Sequence, residues 1–172
     1  MIDAGSRQAL FPFAPGVHVR QIISGGQTGV DRAALDVAIE LGIPHGGCCP
    51  LGRRAEDGRI PDRYALEETA SERYQVRTEQ NVLVADGTLI LFRDELRGGT
   101  RLTYELARRH EKPCFKFDLH KTRCDIAPVR RWLARQAIQT LNIAGPRESH
   151  SSGIYLQARE WLTRLIARHT PD

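Results

Sequence analysis

The sequence predicts a single α/β domain in layers, with a mostly parallel central sheet, and three observations carry that expectation. Hydrophobic periodicity switches repeatedly between strand-like runs and helix-like stripes. The apolar strand runs are separated by helices rather than by tight hairpins, which asks for crossover connections and parallel pairing. The length, 172 residues, suffices for one core without disulfide staples.

The elements follow in order. Val19–Ser24 reads as a first strand running straight into Gly25-Gly26-Gln27-Thr28-Gly29. On the helix that follows, Val30, Ala33, Ala34, Val37, Ala38 and Leu41 form one apolar stripe. Gly42 stands where a left-handed C-terminal cap is wanted. Ile43–Gly47 is a short second strand, and a long polar connection from Pro50 to Pro61 comes after it. Short helices are expected near Asp62–Thr69 and Thr78–Asp86. Thr88–Phe92 is a buried strand, and Gly98-Gly99-Thr100 opens a helix with Leu102, Leu106 and Ala107 inward. Pro113–Phe117 is the next strand, and Asp125 caps a helix carrying Ile126, Val129, Leu133 and Ala137. Thr140–Ile143 is the last strand, and the closing helix presents Ile154, Ala158, Trp161, Leu162, Leu165 and Ile166. Residues 1–16 read as an N-terminal extension and 17–172 as the domain, with no repeat or linker.

Composition narrows the function. Hydrophobic residues are 41% and charged residues 27% of the chain, an ordinary globular profile. Mean hydropathy is -0.40, and no apolar run approaches the roughly 20 residues of a membrane span. Met1–Gly16 lacks the basic-then-apolar order of a secretory signal, so a cytoplasmic protein without a membrane partner is expected. Net charge is 25 − 21 = +4, and Lys112, Lys116 and Lys121 are its only lysines. The arginines are interleaved with acids and form no basic block, which disfavours nucleic-acid binding. Cys48, Cys49, Cys114 and Cys124 make no CxxC pair, so free thiols are expected and a zinc site is not. The six histidines (His18, His45, His110, His120, His150, His169) are scattered without metal-ligand or triad spacing.

In doubly wound sheets, ligands bind beyond the carboxyl ends of the strands. Four loops fall there: Gly25–Gly29, Cys48–Pro61, Arg93–Thr100 and Ala144–His150. Gly25 and Gly26 allow close approach to an anion. Thr28 is placed to cap the helix and to donate to a phosphate, and Thr28-x-x-Asp31 has the spacing of a capping box. A tight, well-capped strand–helix turn would read the same way. Neither GxGxxG nor a Walker lysine is present, which argues against a dehydrogenase or a P-loop NTPase. Gly98-Gly99-Thr100 repeats the device. Two such nests gripping one phosphate would make the Val19 and Thr88 strands neighbours. Arg53 and Arg54 could clamp an anion, with Glu56 or Asp57 on a ribose or pterin, or the loop could be a solvated charged surface. Arg147 and Glu148 invite the same argument.

The run ISGGQTGVDRAALD (Ile23–Asp36), followed by GIPHGG, GRRAEDGRIP, RTEQNV, ADGTLIL, GGT and NIAGPRES, closely resembles the YpsA-related branch of the SLOG superfamily. Members of that branch are widely labelled molybdenum carriers. The resemblance spans Arg20 to Leu165. It implies a Rossmann-like three-layer sandwich that binds a nucleotide-related ligand through its glycine loops, assembled as a homo-oligomer, a dimer or tetramer. It also implies the ligand: the phosphorylated pterin of molybdenum cofactor, or a nucleotide, with no metal ion held directly by side chains. The binding residues implied are Gly25, Gly26, Gln27, Thr28 and Gly29, with Gly98, Gly99 and Thr100. Arg53 or Arg54 would neutralise the phosphate, Asn81, Glu56 or Glu148 would select the base or pterin, and Gly145 and Arg147 would complete the set.

A carrier binding such a ligand without turnover is therefore favoured over an enzyme, and no catalytic residue is assigned. The alternative is a LOG-type phosphoribohydrolase of nucleoside monophosphates. LOG enzymes carry PGGxGTxxE, whereas here Glu105 stands five residues after Thr100, which turns its carboxylate away. Glu56, Asp57 or Glu148 would have to substitute. DNA binding, as in the DprA relatives, lacks a basic face.

Overall fold

The computed structural model describes residues 19–120 and 125–167. The extension 1–16 lies outside the described residues, as do His18, Lys121, Cys124 and His169. The central sheet has five strands, all paired in parallel. In chain order they are β1 (Gln21–Ile23), β2 (His45–Gly46), β7 (Gly87–Phe92), β8 (Cys114–Asp118) and β9 (Thr140–Ala144). Two small ladders stand apart from it, β3 (Cys48–Cys49) with β6 (Glu67–Glu68) and β4 (Arg54–Ala55) with β5 (Gly58–Arg59). The helices are α1 (Val30–Glu40), α2 (Tyr74–Val84), α3 (Gly98–Arg109), α4 (Ala127–Arg135) and α5 (Ile154–Ile166).

Three layers result. Residues of α1, α4 and α5 share one core cluster with Ile22, Leu89, Leu91, Leu141 and Ile143 of the sheet. On the other side α2 packs on α3 through Val82, Leu106 and Ala107. Leu89 and Leu91 alternate with Thr88 and Ile90 as the pleat requires. Thr88 pairs in register with Asn142 on β9, whose amide donates to the buried Thr88 hydroxyl at 3.2 Å.

The sheet order is β2-β1-β9-β7-β8. The expectation that the Val19 and Thr88 strands lie side by side is overturned, because β9 is inserted between them and bonds both. Moving β9 and α5 ahead of β1 would give the order 3-2-1-4-5, the first five strands of the classical dinucleotide-binding sheet. The last strand of the sequence thus takes the central place that the first strand holds in that fold, and the reversal of strand order falls between β9 and β7.

Local differences from expectation have physical causes. Asp62–Thr69 is a turn at Asp62–Arg63 leading to the two-residue strand β6 rather than a helix: Tyr64 and Leu66, two apart, both bury in a satellite cluster with Leu35, Cys49 and Ile60, and residues two apart do not share a helix face. Helix α2 begins at Tyr74, four residues before the expected Thr78. Thr28 does not cap α1. The N-cap is Gly29 at φ 76, with no side-chain bond.

Gly42, at φ 65, does end α1 as expected. Its N–H reaches Ile39 O, and Ile43 N–H reaches Ala38 O, the paired bonds of a Schellman cap. The same bonds end α3, where Glu111 takes the glycine position at φ 52, donating to Arg108 O while Lys112 donates to Ala107 O. A side chain is strained there. Glu111→Gly should therefore raise unfolding stability by about 1 kcal/mol, readable as a higher urea midpoint with an unchanged slope.

Candidate functional site

A cavity of about 640 Å³ opens beyond the carboxyl ends of β7 and β9, at the reversal of strand order. That is where an open α/β sheet binds ligands, and the volume suits a small molecule. Its walls come from the β1–α1 loop and the start of α1 (Gln27, Asp31), α2 (Tyr74, Arg77, Thr78), the β7–α3 loop, the start of α3, and the end of β9 with the segment after it (Ala144 to Arg147, then His150 and Ser151).

The N-terminus of α3 supplies one wall. Arg97 is its N-cap without a side-chain bond. Thr100 and Arg101 N–H turn back to Arg97 O, and the N–H groups of Gly98 and Gly99 have no protein acceptor among the described residues. A Cβ at either glycine would meet nothing within 4 Å, so the space in front is open. Two free N–H groups with the positive end of a helix dipole favour an anion.

The β1–α1 loop is built differently from expectation. A Cβ on Gly25 would collide with the Arg77 guanidinium, one on Gly26 with Leu66, and one on Gly29 with the backbone of Pro146 to Glu148. These glycines serve close packing of the chain on itself. Of the five residues only Gln27 lines the large cavity. It is 5% exposed. Its Oε1 accepts from Thr28 N–H at 3.0 Å and Glu56 N–H at 2.9 Å, which leaves its Nε2 buried without an acceptor.

Arg77 is the second donor group. Its Nη1 bonds the buried Asp31 carboxylate at 3.2 Å, while its Nε is buried without an acceptor. Burial pushes the Asp31 carboxyl above its ordinary value of 3.8, with Arg77 opposing that rise. An unpaired buried donor is costly, and here the two residues that carry one line the same cavity.

Gly98, Gly99, Thr100, Gly145 and Arg147 join Gln27 in the lining. The other expected residues do not. Arg53 is 7% exposed and donates to the carbonyls of Ile60, Pro61, Tyr64 and Leu66 at 2.9–3.1 Å, so its guanidinium holds the polar loop together. Arg54 pairs with Glu72 on the surface at 3.0 Å. Asn81 clamps β3 to α2, accepting from Cys48 N–H at 2.7 Å and donating to Cys48 O at 3.0 Å.

Glu56 joins three loops. Its carboxylate accepts from the Thr28 and Ser149 hydroxyls and from Ser149 N–H. Glu148 caps α5 through the N–H groups of Gly153 and Tyr155. Thr28, Gly29 and Glu148 line a smaller cavity of about 360 Å³, where Tyr64, Tyr155 and Arg63 all donate to Asp36. Burial, then the bond to Asp36, pushes the Tyr155 hydroxyl up to about 12.

Partial burial raises the Glu56 carboxyl, but the bonds from Ser149 and Thr28 outweigh it and bring the group below its ordinary 4.5. Its folded form therefore binds a proton less readily than its unfolded form. The stabilisation is full above 4.5 and is lost as pH falls through the lower folded value. Glu56→Gln should accordingly be less stable than the wild type at neutral pH, with the difference closing below that window in urea melts.

Asp94, Glu95, Arg93, Arg97, His120 and His150 also line the cavity; all but His120 fall in loops expected at the site, though none was singled out as a binding residue. Asp94 accepts from His120 Nδ1 at 3.0 Å, and Asp118 receives the backbone N–H groups of both. Arg77, the most informative omission, stands in the RTEQNV run beside buried Thr78 and Asn81. Its place on the inward side of α2 was the available signal.

Residues 22–166 match the profile of the Circularly permutated YpsA SLOG family. The chain belongs to that family. The central placement of β9 is what a permuted order of this sheet would give. Among solved structures, a protein of Syntrophus aciditrophicus SB named "Putative molybdenum carrier protein" is 44% identical, with a TM-score of 0.88, covering 89% of this chain and 98% of that one. The curated proteins give no match. Among the described residues of this SLOG protein, no helix is long and apolar enough to cross a membrane. No group of three or more His, Cys, Asp or Glu among them could hold a metal ion.

Proposed function

We propose that this protein binds a phosphorylated pterin or nucleotide-related ligand in the 640 Å³ cavity and carries it without turnover, with molybdenum arriving inside the cofactor as cargo. One observation carries the reading: Gln27 and Arg77, each with a buried side-chain nitrogen that has no acceptor among the described residues, line the cavity onto which the free N-terminus of α3 opens. An oxyanion at the start of α3 would accept from the Gly98 and Gly99 N–H groups, with the polar side chains of Gln27 and Arg77 in the same lining. The name of the 44% identical structure is consistent with that cargo.

A LOG-type hydrolase draws less support. Glu105 pairs with Arg101 at 2.8 Å on the exposed side of α3, and Glu56 and Glu148 are engaged in holding loops. We place the protein in the cytoplasm, where the free thiols Cys48, Cys49 and Cys114 suit a reducing medium, and as a dimer or tetramer.

Native mass spectrometry after incubation with molybdenum cofactor, AMP and cyclic nucleotides tests the proposal and reads the oligomer at once. Retention of an intact phosphorylated ligand is the expected result. Release of adenine from AMP, or no retention of any phosphorylated compound, would overturn it.

A further inference from the structure

We infer that Tyr74, with Leu102, forms a stacking seat for the planar ring of the ligand, a nitrogen heterocycle of the pterin or purine class. The inference deepens the reading above and rests on it for the position of the phosphate end. Tyr74 and Leu102 are the large apolar side chains of the cavity lining, set among the polar residues that α2 and α3 also contribute.

Tyr74 opens α2 and stays 38% exposed. The guanidinium carbons of Arg77 and Arg147 stand 6.0 and 5.8 Å from its ring centroid, within cation–π range. Both cations line the cavity themselves, so the ring is held among the positive groups of the site, and a ring so held loses little freedom on receiving a ligand. Leu102 packs against the Val82, Leu106 and Ala107 cluster, which makes it a fixed surface.

Spacing links the two ends of the ligand. Arg77 lies three residues after Tyr74, so the donor and the aromatic face share one side of α2, with Cβ atoms about 5–6 Å apart. A heterocycle joined to a phosphate through a short sugar-like or pyran linker matches that separation. Inorganic phosphate alone would leave the aromatic seat unused.

The test is calorimetric titration of the full chain and its Tyr74→Ala and Tyr74→Phe variants with AMP, adenosine and ribose 5-phosphate. Tyr74→Ala should weaken AMP and adenosine about tenfold, the scale of one stacked base, and leave ribose 5-phosphate unchanged. Tyr74→Phe should bind as the wild type does. Equal binding of AMP and adenosine by wild type and Tyr74→Ala would overturn the seat, as would an equal loss for ribose 5-phosphate or a wild type that binds no heterocycle. Failure of ribose 5-phosphate alone, with adenosine still dependent on Tyr74, would sink the anion reading and leave the seat standing.

Discussion

Arg53→Ala is expected to lower the unfolding free energy by about 3 kcal/mol, the scale of leaving several buried carbonyl acceptors without their charged donor. Four carbonyls between Ile60 and Leu66 receive the guanidinium, and alanine would leave them without it. Arg53→Lys should recover little, because an ammonium cannot reach four acceptors spread around a planar fork. Urea unfolding reads the loss. Ligand titration of the folded variant separates this role from anion binding: affinity unchanged within twofold is expected, and a tenfold loss with stability intact would return Arg53 to the binding site.

The second large effect is expected at Gln27. Gln27→Glu keeps the oxygen that receives Thr28 and Glu56 N–H, so the loop geometry survives. It replaces the unpaired buried donor by an acceptor carrying negative charge. An anion in the cavity then loses a hydrogen bond and gains a repulsion. Affinity for a phosphorylated ligand should fall by about 2 kcal/mol or more, roughly thirtyfold, while adenosine is affected far less. A variant that binds AMP as well as the wild type would remove Gln27 from the anion seat.

How much of this was legible depends on whether a residue's meaning is local. The strand and helix runs from Thr88 to Ile166 could be read because their periodicity reports one buried face each. Gly98-Gly99-Thr100 was read as the start of a helix, and α3 does begin at Gly98. The Gly25–Gly29 run carried the same local signal with another cause. A glycine admits any close neighbour, and here the neighbours are Arg77, Leu66 and the Pro146–Glu148 backbone, all more than thirty positions away. Arg53 poses a related ambiguity. A guanidinium matches a phosphate or a set of carbonyls equally well, and only the course of the chain to Leu66 decides between them. Strand order is the most nonlocal property of all, and no periodicity marks Thr140–Ala144 as the middle of the sheet.

The insertion of β9 between β1 and β7 bears on how the chain is made. A ribosome delivers residues from the N-terminus at about 5–20 per second, so β1–β2 and β7–β8 emerge while the strand that joins them does not yet exist. Until Thr140–Ala144 arrives, each pair exposes an unbonded inner edge, the kind of edge that recruits other strands. The nascent protein is thus two half-sheets awaiting a keystone, and its solubility during synthesis depends on how quickly that keystone follows.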